Sequence, residues 1–197
     1  MRKIAQEDLV TSIADALQFI SYTHPVDYVK ALRRSYESEL NPAAKSAMLQ
    51  LLVNSRMSLL GHRPICQDTG TAQVFMKLGV EAQFYRRDDK PLLSLQALID
   101  EATRSAYTNP DNPLRATTIA DPLGARKNTK DNTPGQLFCE ITEGDVLEVL
   151  AVAKGGGGDV KARFATLNPS DSVADWVIEQ LPGMGAGWCP PGVLGIG

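Results

Sequence analysis

Cys66-Gln67-Asp68-Thr69-Gly70 packs a soft ligand, an amide, a carboxylate and a hydroxyl into four residues, closed by a glycine that lets the backbone turn. Pro64 stiffens the approach to this run. Three chemistries fit it. Cys66 can be one thiolate ligand of a metal. It can be a nucleophile with nearby His62 as its base. Or it can be a small apolar thiol in a turn capped by Asp68. Further along, Lys154 precedes the glycines 155–158. Successive glycines leave N–H groups that can converge on an anion, and the lysine adds charge, so a carboxylate or phosphate is the natural guest. The order is wrong for a Walker A loop, in which lysine follows the glycines.

Two more candidates lie in unpatterned sequence. Gly187-Trp188-Cys189-Pro190-Pro191-Gly192 places two prolines after a cysteine, which is expected to hold the chain extended and keep Cys189 out of a helix. A Cys-Pro pair is also a weak pointer to iron–sulfur ligation. Arg115, in Asn112-Pro113-Leu114-Arg115, reads as a solvated surface arginine or as a clamp for a carboxylate through two parallel hydrogen bonds. Cys139 falls in a strand pattern with Leu137 and Ile141 and reads as a buried core thiol. Three widely spaced cysteines do not make a disulfide framework, and two histidines give imidazole chemistry little to work with.

The elements that must position these groups follow from periodicity. Leu9, Ile13, Leu17 and Ile20 predict a first helix, and Val29, Leu32, Tyr36 and Leu40 a second. Asn41 as N-cap, Pro42 at the first helical position and Gly61 at the end bound a third, with Met48, Leu51, Leu52, Ser55 and Leu59 on its inner face. A strand is expected at about 72–80 and a fourth helix at about 94–107, with Leu98, Ile99, Ala102 and Ala106 aligned. The stretch 109–134 has no periodicity, and loops of that length in a compact domain are often functional. Strands at 136–142 and 146–153 are joined by Glu143-Gly144-Asp145, a hairpin signal. A further strand is suggested at 161–167, and a last helix at 171–181 capped near Ser170.

The fold class this implies is α+β, an amino-terminal helical layer packed on a small, mostly antiparallel sheet. With about 150 residues per domain as a guide, 197 residues make one domain, or a helical segment 1–61 ahead of a domain 62–197. A charge balance of 20 basic against 23 acidic residues argues against a nucleic-acid groove. No apolar run approaches the roughly 18–20 residues that span a bilayer, and the start MRKIAQEDLV has no signal-peptide core, so a cytoplasmic protein without membrane contact is expected.

Taken in order, PICQDTG, NPLRAT, VAKGGGGDVKARFATLNPSD and GAGWCPPGVLGIG resemble the iron–sulfur-dependent class I fumarases and the tartrate dehydratase large subunits, from about Leu49 onward. The resemblance implies a reversible hydro-lyase converting fumarate to malate, with tartrate or mesaconate as substrate variants. It implies a four-iron–four-sulfur cluster held by three cysteines, leaving one iron open. Cys66 matches the first ligand and Cys189 the second; the third lies beyond this sequence, and Cys139 matches none. Gln67 and Asp68 match substrate-contacting positions, with Asp68 the catalytic proton donor. Arg115 matches the arginine that grips a substrate carboxylate, and Gly156 and Gly157 match glycines lining that pocket. On this reading the chain is the front portion of a longer polypeptide, completed by its remainder or a second subunit, and homodimeric when intact. Alone it is inactive, or serves as an anion-binding module.

Overall fold

The computed structural model describes residues 3–159, 161–189 and 193–197, and the chain forms two compact units that meet in sequence between Ala153 and Lys154. The first unit runs β1 (Lys3–Ala5), α1 (Gln6–Tyr22), α2 (Val26–Ser38), α3 (Pro42–Gly61), β2 (Thr71–Gly79), β3 (Gln83–Tyr85), α4 (Leu95–Tyr107), β4 (Ile119–Ala120), β5 (Lys127–Asn128), β6 (Gln136–Thr142) and β7 (Leu147–Lys154). The class is α+β, with the helices gathered at the amino terminus and small, mixed sheets.

The core lies where periodicity placed it. Leu9, Ile13 and Leu17 of α1 and Leu98, Ile99, Ala102 and Ala106 of α4 are buried against Ala72, Val74 and Met76, which alternate along β2. Burying each such leucine or isoleucine contributes about 1.5–3 kcal/mol. Ser94 caps α4 by accepting from the Ala97 N–H, and Asn41 caps α3 by accepting from Ala43 and Ala44. The third helix ends one residue later than expected, because His62, not Gly61, takes the left-handed conformation (φ 47°) that closes it. Its expected inner face is only partly used. Ser55 and Ser58 are buried, whereas Leu59 is exposed together with Leu49, Val53, Met57 and Leu60. α3 is apolar on several faces at once, so spacing could not choose the packed one; it packs chiefly on α2.

β2 is the central strand of the order β6-β2-β7, and this corrects the expected hairpin. The strands flanking Glu143-Gly144-Asp145 are not neighbours, because β2 lies between them. β6 pairs with β2 in parallel, Val74 facing Leu137 and Met76 facing Cys139. The link then reaches over the end of β2, where the Gly79 N–H donates to Val146 O (2.8 Å) and the Glu81 N–H to Gly144 O (2.8 Å). β7 therefore starts where β2 finishes and runs back along its other side. Cys139 is exposed rather than buried. It shares the inward register of Met76, but β6 is the edge of the sheet and the buried cluster reaches only to Leu137 on it. On the opposite face Phe75 and Phe138 stack at 4.7 Å.

The unpatterned stretch 109–134 holds a small antiparallel ribbon, β4 with β5, turned by Asp121, whose carboxylate accepts from Gly124 and Ala125. The second unit contains α5 (Gly156–Asp159), α6 (Val173–Gly183) and a 3-10 helix (Gly185–Trp188). α6 starts later than expected, capped by Ser172 rather than Ser170. The suggested strand at 161–167 is not formed, and Phe164 there is 96% exposed.

Candidate functional site

The 66–70 loop is an arch with both feet tied down. At its start the Ile65 N–H donates to Ser21 O at the end of α1 (2.8 Å), and Ile65 O accepts from Asn54 Nδ2 of α3 (2.9 Å). At its end Gly70 turns with φ 76°, a conformation glycine adopts without a Cβ clash, and its N–H donates to Asp68 Oδ1 (3.1 Å). The Gly70 carbonyl then accepts from Tyr107 Oη (2.8 Å) and from Asn132 Nδ2 (3.0 Å). Between these anchors Cys66 and Gln67 are exposed and Asp68 is half-buried.

Arg115 is brought to this arch through its backbone. Thr69 Oγ1 donates to Arg115 O (2.8 Å), and two residues later the Thr117 N–H donates to Asn132 Oδ1 (2.7 Å). The Arg115 side chain is exposed. Gln67, Asp68 and Arg115 thus sit on two adjoining segments that share their hydrogen bonds. Periodicity marked Tyr107 only as the last turn of a helix, and Asn132 lay in sequence without a pattern. No local signal pointed to either, since their roles depend on contacts 37 and 62 residues away. Burial pushes the Tyr107 hydroxyl up to about 12, so it stays protonated and donating through neutral pH.

The proposed pairing of Cys66 with His62 is not formed. The His62 ring stacks on Tyr22 (centroids 4.8 Å apart), while Cys66 Sγ lies 3.4 Å from Gln67 Oε1 and accepts from the Asp68 N–H at 3.4 Å.

In the second unit Cys189 is out of a helix as expected, but it is not extended. It follows the 3-10 helix in the left-handed region (φ 59°), its N–H closing onto Ala186 O (3.1 Å). Pro190, Pro191 and Gly192 lie outside the described residues. The glycine run after Lys154 forms the short α5, and it approaches Cys189 closely. A Cβ on Gly157 would sit 3.3 Å from Cys189 Sγ and 3.3 Å from Gly187 O. A Cβ on Gly187 would in turn meet Lys161 Cε at 3.0 Å, so Lys161, which nothing in the sequence singled out, also borders this corner.

These observations bear on the iron–sulfur cluster. Cys66 and Cys189 are both exposed thiols, one with an N–H donor on its sulfur and the other close against the backbone of Gly157. Both fit as cluster ligands; thiolates with nearby N–H donors are the usual setting of such centres. Among the described residues no group of three His, Cys, Asp or Glu side chains converges as a metal site.

Comparison with known proteins identifies the family of the chain. The chain is 28% identical to the L(+)-tartrate dehydratase subunit alpha of Escherichia coli K12 over 98% of its own length and 62% of that protein's. It is 29% identical to the putative L(+)-tartrate dehydratase subunit alpha of Methanocaldococcus jannaschii over 88% of its length and 60% of the relative's. It thus spans about three-fifths of the curated relatives it matches. The model of the family described as fumarate hydratase (Fumerase) matches residues 10–197. By that match, which takes in both cysteine corners and the Arg115 segment, the chain belongs to the fumarate hydratase (Fumerase) family.

Proposed function

We propose that the chain is the cluster-binding and carboxylate-gripping part of a hydro-lyase that adds water reversibly to fumarate, giving malate. One observation carries this reading: Cys66, Gln67 and Asp68 share an arch whose next residue, Thr69, is hydrogen-bonded to Arg115. The segment bearing Cys66, Gln67 and Asp68 and the segment bearing Arg115 thereby adjoin through the Arg115 carbonyl.

When bound, a cluster with one iron free of protein ligands supplies a Lewis acid for the carboxylate and hydroxyl of the substrate. Cys66 and Cys189 are the thiolates this chain contributes to it. Arg115 grips a substrate carboxylate through two parallel N–H groups, and the Gln67 amide donates a third, uncharged hydrogen bond. Gly156 and Gly157 offer backbone N–H groups to an anionic substrate group. Holding the olefin this way turns addition into a step between prepositioned groups. Hydration places hydroxyl on one olefinic carbon and a proton on the other. The Asp68 carboxyl gives that proton, and the proton released by the water restores it.

A second reading, L-tartrate as substrate, is favoured by the names of the relatives. Mesaconate, fumarate with an added methyl, would differ only in pocket shape. The word "subunit" in those names supports a second polypeptide as partner; completion by the remainder of a longer chain, a homodimeric assembly and a cytoplasmic setting belong to the proposal alone. Among the described residues no helix is long and apolar enough to cross a membrane.

The test is anaerobic purification of the chain from its own cells with whatever polypeptides accompany it, followed by assay with fumarate, L-tartrate and mesaconate. Turnover of at least one, lost in Cys66→Ser, is expected. Iron-loaded protein that turns over none of the three contradicts the proposal.

A further inference from the structure

Asn132 is fully buried, lies 62 residues from the arch in sequence, and has no place in the chemistry above. Yet both ends of its amide are used. Nδ2 donates to Gly70 O (3.0 Å), while Oδ1 accepts from the N–H groups of Thr117 (2.7 Å) and Thr118 (3.0 Å). The Thr118 hydroxyl adds bonds to Asn132 O (3.2 Å) and Oδ1 (3.1 Å). The side chain is therefore a single strut between the last residue of the 66–70 arch and the segment that follows Arg115. Two backbone N–H groups demand an acceptor and one carbonyl demands a donor, which fixes the orientation of the amide.

We propose that Asn132 is the positioning residue of this site, setting the spacing between the Gln67–Asp68 pair and Arg115 to which the two ends of a dicarboxylate are fitted. The last clause rests on the function proposed above; the strut itself does not.

The residue type follows from three demands at once. The backbone of Asn132 has φ 63°, where asparagine is among the few non-glycine residues tolerated. Aspartate keeps the acceptor but has no N–H for Gly70 O. Glycine keeps the backbone but removes both arms. The strut is itself anchored to α4: Asp131 pairs with Arg104 Nε (2.9 Å) and accepts from the Thr133 N–H (3.1 Å) and hydroxyl (2.7 Å). Tyr107, also on α4, gives the Gly70 carbonyl its second donor. The arch and the Arg115 segment are thus registered against a buried helix, as a catalytic constellation requires from its supporting shell.

The test is hydrogen exchange on the full chain, resolved to peptides over 66–72, 114–119 and the α1 core, in wild type, Asn132→Gly and Asn132→Asp. In Asn132→Gly, exchange over 66–72 and 114–119 is expected to speed up at least about tenfold while α1 stays protected. In Asn132→Asp, which keeps the acceptor arm, 66–72 is expected to loosen while 114–119 stays closer to wild type. Dissociation constants for fumarate and L-tartrate, measured on the same proteins, should rise at least about tenfold in Asn132→Gly, by loss of charge-assisted bonds held at a set spacing. Unchanged exchange in both segments, or equal acceleration everywhere including α1, overturns the proposal. If wild type binds neither dicarboxylate, the function assigned above fails, and the exchange pattern still decides whether Asn132 couples the two segments.

Discussion

Arg115→Met should weaken binding of the dicarboxylate substrate by about 10–150-fold, the loss of about 1.5–3 kcal/mol expected when a hydrogen-bonded charge is removed from its partner. The fold should survive, because the strut and the Thr69 hydroxyl hold the backbone of this segment, not its guanidinium. The exposed side chain contributes little packing. Arg115→Lys keeps the charge but loses the two-pronged geometry, so it should recover only part of the affinity. Isothermal calorimetry with fumarate and L-tartrate, beside a thermal melt, checks both halves. Wild-type affinity in Arg115→Met would remove this residue from the site.

The second large effect concerns the sheet that carries the arch. Gly79→Ala should destabilise the protein by about 3 kcal/mol, because the new methyl collides with the backbone of Gly144 and Asp145, which has no rotamer to give way. For a chain of this size that lowers the melting temperature by about 6–12 °C. The crowding arises because the link between β6 and β7 passes directly over the end of β2. Gly183→Ala is the control, since a methyl there meets nothing within 4 Å. Differential scanning calorimetry reads both variants; equal melting temperatures for Gly79→Ala and wild type would contradict the crossing.

That crossing also shows what the sequence could convey. Glu143-Gly144-Asp145 announces a reversal, and the reversal is there. Turn chemistry is local, however, and says nothing of whether a third strand will slip between the two it joins. Helices α1 and α4 were readable because each has one apolar stripe and, for α4, a serine at its cap. α3 was readable as a helix but not as a packed face, since its leucines point in several directions. Cys139 followed the inward pattern of its strand, and only its place at the sheet edge leaves it exposed.

The site divides in the same way. Cys66, Gln67, Asp68, Arg115 and Cys189 could be picked out because polar groups, prolines and glycines cluster around them. The glycines after Lys154 suggested an anion cradle by composition. In the folded chain one of them, Gly157, also stands beside the sulfur of Cys189, a closeness across 32 residues that no spacing rule predicts. Tyr107 and Asn132 were invisible for a related reason. A buried amide and a buried phenol acquire meaning only when distant carbonyls are brought to them, and that depends on tertiary structure.

The most direct test of the account is anaerobic loading of the chain with iron and sulfide, read as iron per chain and as the visible absorbance of a cluster. It would be run on wild type and on Cys66→Ser, Cys139→Ser and Cys189→Ser. Uptake is expected in wild type and in Cys139→Ser, and its loss in both Cys66→Ser and Cys189→Ser. Uptake that persists without Cys66 and Cys189, or that depends on Cys139, would contradict it.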